Sequence, residues 1–440
     1  MARSLRRREF LASTMLSAGC FVAERAAAQP SRSANEKLNF ACIGVGGRGA
    51  ANTDDAGRNG NIIALCDIDD TRMEPKAKQY PNAKKYFSFN QMFDELSKEI
   101  DAVVISTPDH THAAAALKAM RLGKHVYCEK PLARYVGEAR RVAEVAQQMN
   151  VVTQMGNQGT AHPSFRKTLE ALRSGLIGTI REVHAWSGSN NLPAGPDARP
   201  KTGGNPPPFI HWNEFLGPAE QYAYSADYHA GHWVGWWAFG TGPIGALSCH
   251  VLNLAFHAAD LRNPTTIVAE HTGHNRIAYP KSSSVRWDFA ATGKRPPLTL
   301  FWYDGGRKPD SKLFDGEPIS KDGCLIVGDN GKLVSKDDFM NTRWMLLPER
   351  QLFTPDSRYD YYLPETSNHF REFVDAIQSG GTTMSNFTDV GGPMTETLML
   401  GNLAIWADKK IEWDATSLSV KNQPDLASAI TPKYRAGYTF

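Results

Sequence analysis

The feature that most constrains the fold is a glycine-rich turn between an apolar run and a helix-like stretch. Gly44, Gly46 and Gly49 occupy the glycine positions of a G-x-G-x-x-G pattern that also contains Gly47 and Arg48. The first glycine permits a tight turn, the second lets a pyrophosphate approach the backbone, and the third lets the helix pack on the strand. The pattern predicts a dinucleotide-binding Rossmann unit on a doubly wound parallel α/β sheet.

An aspartate at the end of the next apolar run indicates the cofactor. Asp67 follows Gly44 by 23 residues. A carboxylate at this position accepts a hydrogen bond from the adenosine ribose 2′-hydroxyl and repels a 2′-phosphate, so NAD is expected rather than NADP. Asp69 is a second candidate for the ribose, and helix N-capping is the alternative role for either aspartate.

The apolar runs divide the chain into two regimes. The first half alternates Val- and Ile-rich runs with helix-like stretches, as parallel strands covered on both faces do. The second half has Gly- and Pro-rich loops and predicts an α+β domain with a mostly antiparallel open sheet. Predicted strands lie at 38–45, 61–67, 102–107, 125–128, 151–155, 285–289, 298–303, 324–327 and 410–413, and predicted helices at 111–122, 135–149, 163–174 and 392–408. We expect a signal segment at 1–28, a Rossmann domain at 37–155 and an α+β domain at 156–440.

The N-terminus has the pattern of an export signal. Arg6-Arg7-Arg8-Glu9-Phe10-Leu11 precedes a short apolar stretch and Ala26-Ala27-Ala28. Arg-Arg-x-Phe-Leu resembles the twin-arginine signal, which predicts a periplasmic or otherwise exported protein. An ordinary secretory signal or an uncleaved anchor is the alternative, and Ser17-Ala18-Gly19-Cys20 leaves a lipid anchor at Cys20 as a further option. No later segment approaches the about 20 apolar residues of a membrane span.

Charge and cysteine usage exclude several classes of protein. Outside the first 28 residues the chain has 44 basic and 44 acidic residues and no basic stripe. This neutrality argues against a nucleic-acid partner or an anionic membrane surface. The later cysteines are odd in number and irregularly spaced, so neither a disulfide framework nor a zinc site is expected. They are Cys42, Cys66, Cys128, Cys249 and Cys324.

Two further motifs follow predicted strands. Thr107-Pro108-Asp109-His110 and then His112 stand where open α/β sheets bind ligands, although helix capping is a simpler role. Glu129-Lys130-Pro131 follows the next predicted strand. A lysine beside a nicotinamide lends positive charge to the site or passes a proton to a substrate hydroxyl.

Together these motifs resemble the Gfo/Idh/MocA oxidoreductases, named for glucose-fructose oxidoreductase and inositol dehydrogenase. The resemblance covers about residues 37 to 415 and includes Gly156-Asn157-Gln158-Gly159, Trp236-Trp237-x-Phe239-Gly240-Thr241-Gly242 and Gly401-Asn402-Leu403-Ala404. It implies oxidation of a sugar or cyclitol by hydride transfer to bound NAD, and homo-oligomers formed through the C-terminal sheet. The cofactor-binding residues expected from the motifs are Gly44, Gly46, Gly47, Arg48, Gly49, Asp67, Thr107, Pro108, His110, His112, Glu129, Lys130, Asn157 and Gln158.

The resemblance also implies catalytic residues. Lys130 corresponds to the lysine of the Glu-Lys-Pro motif, and His250 to a histidine that acts as acid or base in many members. The family usually has an aspartate four residues before this histidine, where this chain has Ala246. His250 therefore lacks the carboxylate that would orient it and stabilise its protonated form. Asn253 stands where many relatives have an aspartate, and His250, Asn253 and His257 share a helix face without a third metal ligand, so no metal is expected.

Aromatic residues are the main candidates for substrate contacts. Flat rings match the apolar faces of pyranoses, although part of this aromatic run is expected to be core. The run contains Tyr222, Tyr224, Tyr228, His229, Trp233, Trp236 and Trp237. Arg166, Trp212 and Asn253 are further substrate-side candidates.

Export and a bound cofactor together restrict the reaction. An exported NAD enzyme has no free coenzyme pool, so its turnover must return the cofactor to its starting state. Three hypotheses follow. The first is an exported NAD-dependent oxidoreductase acting on a sugar or sugar derivative. The second is an NAD-dependent glycosidase or epimerase that uses transient oxidation and elimination, as α-N-acetylgalactosaminidases of this superfamily do. The third is a non-catalytic carbohydrate-binding relic, suggested only by Ala246.

Overall fold

The computed structural model describes residues 37–188, 192–229, 231–293, 295–336, 339–354, 362–364, 366 and 368–440. The predicted export signal and Cys20 lie outside these residues. Within them, no helix is both long and apolar enough to cross a membrane.

The first half of the chain forms the predicted parallel sheet. Six strands lie in the order β3-β2-β1-β4-β5-β6, and every pair is parallel. The reversal of strand order beside β1 makes the sheet doubly wound, and ligands bind at such a reversal. The strands are β1 (Leu38–Ile43), β2 (Gly60–Cys66), β3 (Lys84–Tyr86), β4 (Ala102–Ile105), β5 (His125–Cys128) and β6 (Thr153–Met155).

Helices connect these strands and cover both faces of the sheet. They are α1 (Arg48–Asn59), α2 (Asp70–Gln79), α3 (Phe89–Leu96), α4 (Asp109–Arg121) and α5 (Val136–Met149). A helix from far along the chain, α10 (His369–Ser379), also packs on this sheet. Its Phe370 ring lies 5.8 Å from Phe40 and 5.2 Å from Tyr127.

The second half forms a ten-stranded open sheet in the order β14-β13-β12-β11-β7-β10-β9-β8-β15-β16. Only β7 and β10 pair in parallel, so the sheet is mostly antiparallel, as predicted. The strands are β7 (Ile180–Ser187), β8 (Thr266–His271), β9 (Ser283–Phe289), β10 (Leu298–Asp304), β11 (Gly323–Gly328), β12 (Lys332–Lys336), β13 (Met345–Leu347), β14 (Gln351–Leu352), β15 (Ile411–Asp414) and β16 (Ser419–Val420).

The remaining helices join the two sheets into one unit. They are α6 (Pro163–Arg173), α7 (Trp212–Leu216), α8 (Cys249–Val251), α9 (Asn253–Ala259), α11 (Gly392–Ala407) and α12 (Ala427–Ile430), with π-helical turns at Ile244–Ser248 and Phe387–Gly391 and 3-10 turns at Gln158–Ala161, Trp233–Gly235, Ser311–Phe314 and Pro424–Leu426. Arg140 of α5 forms a two-pronged contact with Glu396 of α11, with both N···O distances 2.7 Å. The five described cysteines are free and buried.

Candidate active site

The register of the parallel strands places the sequence motifs on one edge of the first sheet. Ile43, the last residue of β1, is level with Cys66 of β2 and with Ile105 of β4, which is level with Cys128 of β5. The residues that follow these four positions therefore emerge side by side. They line a cavity of about 740 Å³, which is within the usual range for ligand sites.

The glycine turn has the geometry that a dinucleotide requires. Gly44 has a φ of +77°, and a Cβ there would lie 2.6 Å from the Ser106 carbonyl oxygen. A Cβ on Gly49 would lie 1.8 Å from the Gly44 carbonyl oxygen. Both positions thus exclude larger residues, and Gly44, Gly46, Gly47 and Arg48 line the cavity at the start of α1. This cradle, with the helix N-terminus behind it, fits a pyrophosphate.

Asp67 holds the glycine turn in place as well as lining the cavity. Its Oδ2 accepts hydrogen bonds from the backbone N–H of Val45 at 2.8 Å and of Gly46 at 3.3 Å. Burial raises the pKa of Asp67, and these hydrogen bonds oppose that rise. Asp69, the second ribose candidate, instead caps α2 by accepting a hydrogen bond from the Thr71 N–H at 2.9 Å.

Glu129 gathers three side chains beside the glycine turn. Its Oε1 accepts hydrogen bonds from Arg48 Nε at 3.2 Å, Asn52 Nδ2 at 2.9 Å and Gln158 Nε2 at 3.0 Å. Of the predicted cofactor residues, Arg48, Glu129 and Gln158 therefore act as one cluster on the cavity wall. Asn157 does not reach the cavity, because it is buried with Nδ2 3.4 Å from Asn253 Oδ1.

Lys130, which follows β5, and His250 of α8 both line this cavity. Lys130 Nζ donates a hydrogen bond to the Ala246 carbonyl oxygen at 2.6 Å. Burial, and then the charges of Lys130 and Arg48, lower the pKa of His250 to about 3. The ring of His250 is thus neutral at physiological pH and can accept a proton, while Ala246 supplies no carboxylate to stabilise the protonated ring.

Asp109 belongs to this site, although sequence analysis did not select it. Its Oδ2 accepts a hydrogen bond from Thr241 Oγ1 at 2.5 Å. Burial raises the pKa of Asp109, and the charges of His112 and Lys130 oppose the rise. The position of Asp109 at a strand end, in the motif quoted above, was the available signal.

His112 lies beside Asp109 and also lines the cavity. Its two ring nitrogens each lie 2.7 Å from a backbone carbonyl oxygen, one from Pro131 and the other from Thr107. Thr107 and Pro108, predicted to bind the cofactor, also line the cavity.

Two other predicted site residues lie away from this cavity. His110 is buried with Nε2 2.8 Å from the Phe215 carbonyl oxygen, and burial lowers the pKa of its ring to about 3. Arg166 is buried and pairs with Glu372 at 2.7 Å. Arg166 therefore joins α6 to α10 and does not line the first cavity.

The predicted aromatic wall is divided between two places. His229 and Trp233 line the first cavity, together with Arg72, Phe87, Glu214 and Phe215, which sequence analysis did not select. Tyr222, Tyr228, Trp236 and Trp237 line a second cavity of about 300 Å³. Trp212 and Tyr224 pack against each other, with ring centroids 5.2 Å apart. Within the described part of the chain, no group of three or more His, Cys, Asp or Glu residues could hold a metal ion.

Comparisons with known proteins agree with this architecture. Residues 38–157 match the model of GFO_IDH_MocA, an oxidoreductase family with an NAD-binding Rossmann fold. Inositol 2-dehydrogenase of Rubrobacter xylanophilus is 28% identical over 169 residues, which are 37% of this chain and 48% of that protein. The chain spans half or less of the length of the curated relatives that it matches.

Solved structures share the fold across most of the chain. Aldose-aldose oxidoreductase from Caulobacter crescentus has a TM-score of 0.58 at 16% identity, and the likeness covers 86% of this chain and 100% of that one. Levoglucosan dehydrogenase, solved in complex with NADH and levoglucosan, has a TM-score of 0.58 at 15% identity, covering 85% and 99%. At these identities the likeness concerns the fold.

Proposed function

We propose that the chain, whose residues 38–157 match the Gfo/Idh/MocA oxidoreductase family, oxidises a sugar or sugar derivative with a tightly bound NAD. One observation carries this proposal. The glycine turn at Gly44, the carboxylate of Asp67, the ammonium of Lys130 and the ring of His250 all line one cavity. The cavity thus offers a dinucleotide cradle at one end and proton-transfer groups at the other.

The residues that line the cavity would have separate roles in binding the cofactor and in the reaction. The glycine turn and Asp67 would hold the pyrophosphate and the adenosine ribose. When bound, NAD would accept a hydride from a substrate carbon. His250, neutral in the cavity, would take the hydroxyl proton, and the positive charge of Lys130 would stabilise the negative charge that develops on the substrate oxygen.

Contacts between the domains support tight binding of the cofactor. The roof loop, residues 207–229 and 231–233, returns from the C-terminal half to the strand end at Asp67. Its Phe209 and His211 exchange backbone hydrogen bonds with Asp70 and Ile68, at 3.0 and 2.8 Å. The loop therefore lies over the end of the cavity where the adenosine would sit, which hinders release of the cofactor.

Retention of NAD agrees with the export proposed from the N-terminal sequence. A protein exported in the folded state through the twin-arginine pathway would carry its cofactor with it. The alternative is that the exported protein is held at a membrane by a lipid anchor on Cys20. We also propose that the protein forms homo-oligomers through its C-terminal open sheet, as the resemblance described above implies.

Cofactor analysis of the exported protein tests the proposal. Protein recovered from outside the cytoplasm is denatured, and the released nicotinamide is measured by mass spectrometry. We expect NAD(H) in near-equal amount to protein, and a ketosugar after incubation with a substrate from a panel of aldoses and cyclitols. Protein that contains no nicotinamide and takes none up would contradict the proposal and would favour a non-catalytic binding protein.

A matched pair of glycine variants controls this experiment. Gly49→Ala places a Cβ 1.8 Å from the Gly44 carbonyl oxygen, so this variant should lose NAD. Gly293→Ala meets no atom within 4 Å and should retain it. Thermal unfolding of both variants separates loss of the cofactor from loss of the fold.

Glycoside cleavage or epimerisation is a second candidate, and cofactor retention favours it. A cofactor held under the roof loop can be reduced and reoxidised within one turnover, which transient oxidation and elimination require. Incubation with glycans distinguishes the two candidates. Sugar release without accumulation of NADH supports cleavage, whereas accumulation of a ketosugar or NADH supports oxidation.

A further inference from the structure

The second cavity lies apart from the nicotinamide site and is lined by the C-terminal domain and by α5 and its preceding loop. Its volume of about 300 Å³ is at the lower end of the range for ligand sites. It is therefore suited to one small ring and not to a dinucleotide. No residue that lines it also lines the first cavity.

Aromatic rings form much of its wall and are held in fixed orientations. Trp237 stacks on Tyr279 with ring centroids 3.7 Å apart, and Trp406 meets Trp237 edge-on at 5.2 Å. Tyr228 meets Trp236 edge-on at 5.6 Å. Rings fixed by such contacts offer flat apolar surfaces at little cost in side-chain entropy.

Two buried polar atoms in this wall lack partners among the described residues. Arg134 Nε, a donor, makes no hydrogen bond, although the same guanidinium donates to the Trp237 carbonyl and to Tyr135 Oη. Asn402 Oδ1, an acceptor, makes none either, while its Nδ2 donates to the Thr241 carbonyl at 2.8 Å. Buried polar groups are normally satisfied, so these two side chains, both from residues that line the cavity, keep one donor and one acceptor that the described residues leave unused.

The mouth of the cavity adds a guanidinium. Arg276 lies over the Trp406 ring at 5.1 Å and is exposed to solvent. Its N–H groups are arranged as a planar fork that can donate to two adjacent oxygens. Glu220 is the one acidic residue among the described residues that line the cavity, and Glu138 offsets the charge of Arg134.

We propose that this second cavity binds one pyranose unit of a saccharide, independently of the nicotinamide site. The apolar face of the sugar would lie on the tryptophan wall, where C–H groups and aromatic rings are complementary. Its hydroxyl groups would satisfy Arg134 Nε and Asn402 Oδ1, because a hydroxyl both donates and accepts. The fork of Arg276 would take a vicinal pair of hydroxyl oxygens at the mouth.

Binding of simple methyl glycosides to the full-length exported protein tests this site. The probes are methyl α- and β-pyranosides of glucose, galactose and N-acetylgalactosamine, and sorbitol serves as an acyclic polyol. Saturation-transfer NMR detects binding, and a crystal soaked with the pyranoside that binds locates it. We expect a pyranoside, and not sorbitol, to occupy the second cavity.

Variants then assign the binding to this cavity. Trp406→Leu and Arg276→Asn should each weaken pyranoside binding by about tenfold or more. Asn tolerates the left-handed backbone of Arg276, whose φ is 61°. Arg295→Asn is the matched control, because the Arg295 guanidinium also lies over a ring, Phe289 at 5.2 Å, but outside the cavity.

The outcome does not depend on whether the protein carries NAD. Lys130→Met changes the first cavity, where the proposed reaction also takes up a sugar, so this variant is read in the soaked crystal, in which the pyranoside in the second cavity should remain. Absence of binding by every pyranoside, equal binding of sorbitol, or binding lost in Lys130→Met and kept in Trp406→Leu would each overturn the proposal. A protein that lacks NAD but binds pyranosides through Trp406 would overturn the proposed oxidoreductase and keep this site.

Discussion

His229 Nε2 lies 2.9 Å from Asp69 Oδ2, and this contact ties the roof loop to the strand end that carries Asp67. The same carboxylate lies 3.4 Å from Arg72 Nε and caps α2. Burial acts to raise the pKa of Asp69, but hydrogen bonds from Thr71 and His229 outweigh burial, so the pKa lies below its usual value. Asp69 is thus ionised over the physiological range, and it can hold the roof loop closed over the adenosine end of the first cavity.

The first prediction concerns this contact. His229→Ala removes this side-chain contact and should increase the rate of NAD release by about tenfold. That increase corresponds to a free-energy barrier to release that is lower by about 1.4 kcal/mol. The measurement is the NAD that remains bound after timed dialysis. His232→Ala, three residues further along the same loop and solvent-exposed, is the control and should release NAD at the original rate. Identical release from both variants would show that the backbone contacts alone hold the loop.

Asp67 should determine the choice between NAD and NADP. Asp67→Asn keeps an oxygen that can accept from the Val45 N–H but removes the negative charge. Because that charge repels a 2′-phosphate, NADP binding should strengthen by about tenfold or more relative to NAD. Competition between the two cofactors for the apoprotein, read by mass spectrometry, measures the ratio. Asp55→Asn, on the exposed side of α1, should leave it unchanged, and an unchanged ratio in Asp67→Asn would assign specificity elsewhere.

The variant Ala246→Asp introduces the aspartate that the family usually has four residues before the histidine. An opposite charge one helical turn from His250 should raise the pKa of that ring from about 3, since it favours the protonated form. A base acts in its neutral form, so the acid limb of the pH profile of kcat/KM should move to higher pH. The neutral isostere Ala246→Asn should leave this limb in place.

NMR titration of the His250 ring gives a readout that does not depend on substrate. The ring should titrate at higher pH in Ala246→Asp than in the parent protein or in Ala246→Asn. If the aspartate instead pairs only with Lys130, whose Nζ already contacts the Ala246 carbonyl, the titration of His250 will not move. That result would contradict the prediction that a carboxylate at position 246 stabilises the protonated ring of His250.

Much of the fold could be predicted because it depends on local patterns. Gly44 and Gly49 are required by backbone geometry, and the apolar runs around them form the parallel strands. Strand β7 (Ile180–Ser187) was not predicted, because Arg181, Glu182 and His184 interrupt its apolar pattern. It is nevertheless a central strand, since its pairing with β10 and β11 comes from distant parts of the chain.

The site was predicted less completely than the fold, for a related reason. Residues immediately after strands, such as Asp67 and Lys130, could be placed because parallel strands end on one edge. Trp236 and Trp237 could not, since the direction in which a loop residue points depends on tertiary contacts. They line the second cavity, whereas Trp233, a few residues earlier, lines the first.

Buried histidines should make the protein less stable in acid, and His369 offers a clean test. Burial lowers the pKa of His369 to about 3, against 6.5 for the free side chain. Well above pH 6.5 the ring is neutral in both the folded and the unfolded protein, so it does not lower the free energy of unfolding there. As the pH falls below 6.5 the unfolded chain binds a proton that the folded protein does not, so the free energy of unfolding falls until about pH 3.

As the pH falls from 7 to 5, this one ring should lower the free energy of unfolding by about 2 kcal/mol. His369→Asn should therefore show a shallower decrease of unfolding free energy over that interval, measured by urea denaturation at each pH. Its stability at pH 7 should also be lower, because the ring packs edge-on to Tyr127, so the comparison rests on the slope. His162→Asn keeps an N-cap side chain on α6 at an exposed position and should retain the original slope. Parallel curves for His369→Asn and the parent protein would assign the acid sensitivity to other buried groups.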